Sequence, residues 1–291
     1  FAFLAGLTMF AGMTSGMMAQ APLAFLVDHY GWRNNIFALG IAGFILSFLV
    51  FLFIRNEPAT RMSLMSETVH MRPKWSDVGS ALKAVLKNAY VWKTSLVAAT
   101  MSGPMLVIGG LWGTPYLMVT FELSRPEAAF FMSLLLLGWA VGAPFSGWLS
   151  DHIGRRKPIL VSGLVVICTM LAVVIGISDL PLGAVVACFV VIGLSGGGMT
   201  ACFGLLKDVM PASLASASTG VVNSMTVASG AILQPFVGLT LDLQWDGRLV
   251  DGARHYAEGD YRTAFTLVLA AAVIGLVTAL SLRETPRGYS P

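Results

Sequence analysis

The chain has 291 residues, 56% of them hydrophobic and 11% charged, with a formal net charge of +3. Soluble domains carry roughly a quarter charged residues, so a soluble fold of this length would lack the polar surface to stay in solution. The small positive balance makes no case for nucleic acid, because the basic residues sit in loops and form no helical stripe. Cys168, Cys188 and Cys202 all lie inside apolar runs and offer neither a disulfide framework nor a metal-ligand spacing. An all-α membrane protein without metal or cofactor is the expectation.

A bilayer-crossing helix takes about 20 apolar residues. Runs of that kind lie at 1–27, 34–54, 92–118, 127–149, 158–177, 182–206, 214–241 and 264–282, which predicts eight transmembrane helices. The first has no basic flank and no cleavage signal, so it does not read as a signal peptide. The second ends in IRNEP. The segment 55–91 is a polar linker in which Pro58 and Pro73 break helices. Its later part, SDVGSALKAVLKN, places Val78, Leu82, Val85 and Leu86 on one helical face and Lys83 and Lys87 on another. An interfacial amphipathic helix with Ser76 as its N-cap is predicted there.

The later runs are rich in small residues. Gly109/Gly113 and Gly138/Gly142, like Gly12/Gly16 in the first run, have the GxxxG spacing that lets helices approach closely. Ser216, Gly220, Ser224 and Ala228 make a similar small face. Gly196, Gly197 and Gly198 are hinge candidates, because consecutive glycines weaken a helix on every side.

Lys and Arg accumulate on the cytoplasmic side of membrane proteins. One set of alternate loops holds 13 of these residues and the other only 5. The linker, the 150–157 loop, the 207–213 loop and the tail 283–291 are therefore expected in the cytoplasm, and the 242–263 loop outside. The chain also repeats itself weakly. LVDHYGWRNNIF and IRNEP early on match TLDLQW, DYRTAF and LRETP later, and Phe37–Arg55 and Phe265–Arg283 share an 18-residue separation. An aromatic–Arg pair, Trp32-Arg33 or Tyr261-Arg262, precedes each of these spans. The repeat aligns spans one and two with seven and eight. It predicts parallel six-helix halves, with four further spans ahead of residue 1.

Between the fourth and fifth runs stands GWLSDHIGRRK. Gly147, Asp151, Gly154, Arg155, Arg156 and Lys157 resemble the GxxxDxxGRR/K loop of the major facilitator superfamily between its eighth and ninth helices. The GWR turn after the first run, the REP-like span ends and LWGTPYL at 111–117 extend the likeness along the chain. The resemblance implies that superfamily's fold, in the portion from the fifth to the twelfth helix. Residues 1–54 would be the last two helices of the N-terminal bundle, 55–91 the linker between bundles, and 92–282 the complete C-terminal six-helix bundle.

The resemblance also implies a function. The loop residues Gly147, Asp151, Gly154, Arg155 and Arg156 would lock the cytoplasmic side in the outward-facing state. An ionised Asp151 needs donors, and Arg155 or Arg156 can supply them. Gly147 and Gly154 would permit the bend. A midplane cavity between the halves would be lined by Ser102, Trp112, Thr114, Tyr116, Trp139, Ser195, Thr200, Asn223, Thr226 and Gln234, with Gln20 from the first run. Asn223 and Gln234 weigh most, because amides deep in a membrane need partners. Each of the others also fits a helix–helix hydrogen bond.

No run carries an Arg, Lys, Asp or Glu at its centre, so a coupling charge is expected on the four further helices. The first run lacks the GxxxGPxxGG pattern of drug/proton antiporters: Met17 follows Gly16, and Pro22 comes late. The expectation is proton-coupled uptake of a small organic solute by a multi-pass protein of the cytoplasmic (inner) membrane, monomeric when full length. Efflux and a transporter-like solute sensor are the alternatives. An enzyme is not expected, since His29, His70, His152 and His255 sit in loops and no catalytic set converges within the spans.

Overall fold

The structure, a computed structural model, describes residues 7–8, 10–12, 14–16, 26, 30–53, 75–250 and 252–284. Most of the run 1–27, Gln20 with it, and most of the 55–91 linker lie outside the described residues. The chain divides into two compact units, residues 18–80 and the remainder.

In the smaller unit, α1 (Trp32–Phe53) is apolar on all sides beyond its first turn, which carries Arg33, Asn34 and Asn35. Only Asn35 is buried on it, its amide donating to the carbonyls of Leu26 (2.8 Å) and Gly31 (2.9 Å). The helix α2 (Trp75–Leu86) follows, its residues from Ala81 onward belonging to the larger unit. It begins a residue before Ser76, so Ser76 is a helical residue and not the N-cap expected of it.

The larger unit is a bundle of six spans. The first is continuous from Ala89 to Phe121 and has three parts: α3 (Ala89–Pro104), a π-helical stretch Met105–Trp112, and α4 (Gly113–Phe121). Then come α5 (Arg125–Ile153), α6 (Lys157–Gly176), and α7 (Leu182–Gly196) running through a 3-10 turn Gly197–Met199 into α8 (Thr200–Val209). Next are α9 (Ala212–Gln244) and α10 (Glu258–Ser281). With α1, seven helices among the described residues are long and apolar enough to cross a membrane.

The helices overrun the apolar runs because polar end residues complete their terminal turns. α10 starts six residues before the predicted 264, on a first turn holding Glu258 and Asp260, which suits the positive end of the helix dipole. Tyr261-Arg262, expected to precede this span, is therefore inside it. Likewise α5 runs on to Ile153, so His152 is helical and stacks on Trp148, with ring centroids 5.5 Å apart. A two-residue hairpin, β1 (Leu249–Val250) with β2 (Ala253–Arg254), interrupts the all-α pattern between α9 and α10. Asp242 holds it there, pairing with Arg254 at 2.5 Å and accepting from the Tyr256 hydroxyl at 2.5 Å. Burial, then this hydrogen bond to a carboxylate, pushes the Tyr256 phenol up.

Two ties fix α6 and α10 as antiparallel neighbours. At one end Lys157 Nζ donates to the carbonyls of Leu280 (2.7 Å) and Leu282 (2.8 Å) at the close of α10. At the other, Arg262 Nε (2.9 Å) and Nη2 (2.6 Å) donate to Ile175 O at the close of α6. Each cation answers carbonyls that a helix end leaves unpaired, where the dipole also favours it. These contacts put residues 88–90, 151–157, 207–210 and 282–284 at one end of the bundle and 175–178 with 242–262 at the other.

The α5–α7 contact is made by glycines. A Cβ at Gly138 would meet the carbonyl oxygen of Val190, one at Gly142 that of Leu194, and one at Gly193 that of Leu135. Gly197 faces the Ala143 nitrogen in the same way, and Gly196 the Trp139 ring, at 2.5 Å from Cζ3. The expected packing role of Gly138/Gly142 is therefore seen, and the glycine triplet combines packing with a local change of helix type. Gly113 packs against Met132 and Ile108, and Gly109 against Leu135, whereas a Cβ at Gly12, Gly16 or Gly220 would meet nothing within 4 Å. A side chain at the crowded glycines forces backbones apart. Gly142→Ala and Gly193→Ala should each destabilise the bundle by roughly 1–3 kcal/mol, read as a lowered Tm in detergent. Gly183→Ala, with open space around it, should leave Tm unchanged or slightly raised.

Candidate functional site

The α5–α6 turn is built around one buried cation. The chain leaves α5 at Gly154, whose φ of 71° is the left-handed conformation glycine adopts freely. α6 then opens on Lys157-Pro158, where proline's missing N–H costs no hydrogen bond. Between the two helices Arg156 turns inward and is 1% exposed. Its Nη2 stands 2.6 Å from Asp151 Oδ1, its Nη1 donates to Ser150 Oγ at 2.6 Å, and its Nε donates to Asp208 Oδ2 at 3.3 Å. Asp151 and Ser150 lie one turn back on α5, while Asp208 comes from the end of α8.

Room for the guanidinium is made at Gly204, where a Cβ would stand 3.0 Å from Arg156 Nε and 3.1 Å from Cζ. A third carboxylate completes the cluster. Glu284, just past α10, accepts from the backbone nitrogens of Arg156 and Lys157, the latter at 3.3 Å, and so caps the N-terminus of α6. Arg155 is 58% exposed and, among the described residues, pairs with Glu284 at 3.8 Å. Three carboxylates thus face two guanidinium groups at one end of the bundle, and four spans are joined through them.

Sequence reasoning left Arg155 and Arg156 as alternative partners of Asp151, and the structure assigns the role to Arg156. It also corrects Gly147, which is buried within α5 and makes no bend; Gly154 alone turns the chain. Ser150, Gly204, Asp208 and Glu284 were not anticipated. Asp208 carried a readable signal, since an acid in a positive-inside loop serves no topogenic purpose.

The cavity candidates separate by burial. Ser102, Tyr116, Trp139, Thr200 and Thr226 are buried in the bundle interior. Ser102 and Thr226 bond carbonyls of their own helices, and Thr200 also reaches Ala143 O at 3.3 Å. Tyr116 packs edge-on against Phe189, Tyr261 and Phe265, with centroids 5.4–6.3 Å away. Gln234 ties α9 to the first span by two hydrogen bonds: the Trp112 indole donates to Gln234 O (3.1 Å), and the Gln234 amide donates to Leu106 O in the π-helical stretch (2.8 Å). Thr114 and Ser195 are half-buried, and Asn223 is exposed on α9. The described residues hold no group of three or more His, Cys, Asp or Glu able to bind a metal ion.

A bundle of apolar helices long enough to cross a bilayer, joined at one end by such a cluster, has the architecture of a multi-pass membrane protein. A model of the Major Facilitator Superfamily matches residues 2–235 and 115–291, and the chain belongs to that superfamily as an integral multi-pass membrane protein. It is 23% identical over 273 residues to the "Probable nitrate/nitrite transporter NarK2" of Mycobacterium tuberculosis, covering 87% of this chain and 65% of that protein. It is 26% identical to the "Membrane sensor protein UhpC" of Salmonella typhimurium and 24% to a "Probable hexose phosphate transport protein" of Chlamydia trachomatis. Each of these two matches covers 49% of this chain and 35% of the relative. Thus the chain spans less than two thirds of the length of these relatives. Among solved structures it is similar to an inward-facing, unoccupied bacterial homologue of the human lysosomal transporter Spinster, with a TM-score of 0.63 and 15% identity over 96% of this chain and 67% of that one.

Replacing Arg156 by a neutral side chain takes from Asp151 and Asp208 the buried cation that both of them contact. Arg156→Gln should destabilise the bundle by roughly 2–4 kcal/mol, below the fully buried limit because Asp151 and Asp208 keep 28% and 23% exposure. Arg155→Gln should change Tm little. Equal Tm losses in the two variants would remove Arg156 from the centre of the cluster.

Proposed function

We propose that this protein is a secondary active transporter of a small solute, working by alternating access, and that the Arg156 cluster is its cytoplasmic latch. The observation that carries the reading is a single buried guanidinium holding carboxylates from two helices, with a third carboxylate on its backbone. Such a cluster is either made or broken, and alternating access needs elements with two discrete arrangements. Two six-helix repeats enclose the solute between them in this mechanism. The six spans from Ala89 to Ser281 supply one repeat, and α1 belongs to the other.

The finer parts of the reading are proton-coupled uptake, placement in the inner membrane, and a small organic solute. The printed names of the relatives, nitrate/nitrite transporter and hexose phosphate transport protein, point toward small anions. Among the cavity candidates, Asn223 has the strongest case for touching solute, because its amide is exposed while that of Gln234 is already committed to Leu106. A second reading, a solute sensor, is favoured by the likeness to the membrane sensor protein UhpC.

Counterflow in proteoliposomes holding both repeats separates these readings, with nitrate, a sugar phosphate and a neutral sugar as test solutes. A transporter exchanges labelled solute across the bilayer; a sensor binds it without exchange. Asp151→Asn should slow exchange by about tenfold, equivalent to about 1.4 kcal/mol, with normal insertion. Wild-type exchange in that variant would sink the latch. Asn223→Ala should raise the half-saturating solute concentration several-fold, whereas Gln234→Ala should lower Tm and leave that concentration nearly unchanged.

A further inference from the structure

We propose that the end of α2 and the first turn of α3 form a docking surface for the headgroups of anionic phospholipids. Val85 is fully buried in the bundle and fixes the facing of α2. At about 100° per residue, Leu82 and Leu86 then run along one flank and Lys83 and Lys87 fall on the side away from Val85. All four are exposed. One turn into α3, Val91 is buried again, and Trp92 and Lys93 next to it are exposed. The Trp92 indole donates to Leu86 O at 2.7 Å, which holds its ring across the corner between the surface helix and the spanning one.

An apolar row, an indole and three ammonium groups therefore meet where a span enters the bundle. That combination fits the membrane interface, where tryptophan and snorkelling lysines sit at headgroup level. Asp151, Asp208 and Glu284 are engaged by Arg155 and Arg156, whereas Lys83, Lys87 and Lys93 form no ion pair with any described residue. Phosphate oxygens supply the missing negative charge, and acyl chains supply the surface for Leu82, Leu86 and the exposed Leu96. A zwitterionic headgroup brings its own cation and gains less from the lysines, so the occupant is an anionic lipid.

The surface is tested on the whole chain in bilayers. The Trp92 signal is isolated as the fluorescence difference between wild type and Trp92→Phe. Brominated phosphatidylglycerol should quench it at least about fivefold more than brominated phosphatidylcholine at equal mole fraction, the effect of one lysine at an anionic surface. Combined Lys83→Gln, Lys87→Gln and Lys93→Gln should bring the two lipids to parity. Arg at the same three positions should keep the preference, which separates charge from any change in folding. Equal quenching in wild type, or a preference that survives the three Gln substitutions, overturns the proposal. Absence of quenching by either lipid does so as well, since it would mean that protein or water covers the surface.

Discussion

A guanidinium taken out of water must be paid back in full by its neighbours, and the closed end of this bundle is arranged around that requirement at Arg156. An unpaired buried charge costs several kcal/mol, so the surrounding helices have to deliver acceptors at fixed places. α5 does so by continuing past its apolar run to carry Ser150 and Asp151. α8 carries Asp208 in its last turn, and Gly204 one turn earlier leaves space for the guanidinium nitrogens. The segment after α10 brings Glu284 to the backbone of the same residue. Because these groups come from different spans, the positions of four helices are coupled at one point.

The rest of the bundle complements this polar junction with close apolar contact. Where α5 and α7 cross, the absence of Cβ atoms at Gly138, Gly142, Gly193 and Gly197 lets backbones touch, which in lipid supplies dispersion contact that hydrophobic burial cannot. The two kinds of contact differ in how they fail. A glycine interface slides or rotates with small losses at each step, whereas the charge cluster is lost when its ions separate. In this bundle the charge cluster sits at one end and the glycine contacts lie along the middle of α5 and α7.

Much of this was readable beforehand, for identifiable reasons. Span existence follows from apolar length, a signal strong in any single helix. The grouping of loops into two ends follows from alternation, and the Lys157–Leu280 and Arg262–Ile175 ties bear out that grouping. Span ends were misjudged because the terminal turns are polar: Asp151, His152 and Arg262 read as loop residues while being helical. The π-helical stretch Met105–Trp112 and the hairpin at 249–254 left no trace in composition, since each depends on a tertiary partner, Gln234 in one case and Asp242 in the other.

The site was legible in kind but not in its pairing. A motif places Asp151 near two arginines; it does not say which one points inward. That is decided by the cavity at Gly204 and by Asp208, both some fifty residues away in sequence. The cavity candidates are a different case. Choosing polar residues within apolar spans selects every side chain able to hydrogen-bond, and in a helix most Ser and Thr spend that capacity on their own backbone, as Ser102 and Thr226 do. Glutamine and asparagine reach further, so their fates diverge with position. Gln234 meets a π-helical carbonyl across the interface and becomes glue, while Asn223, eleven residues earlier and on an exposed face, keeps its amide available. The discriminating property is therefore not polarity within a span but polarity left over after the helix and its neighbours have taken their share.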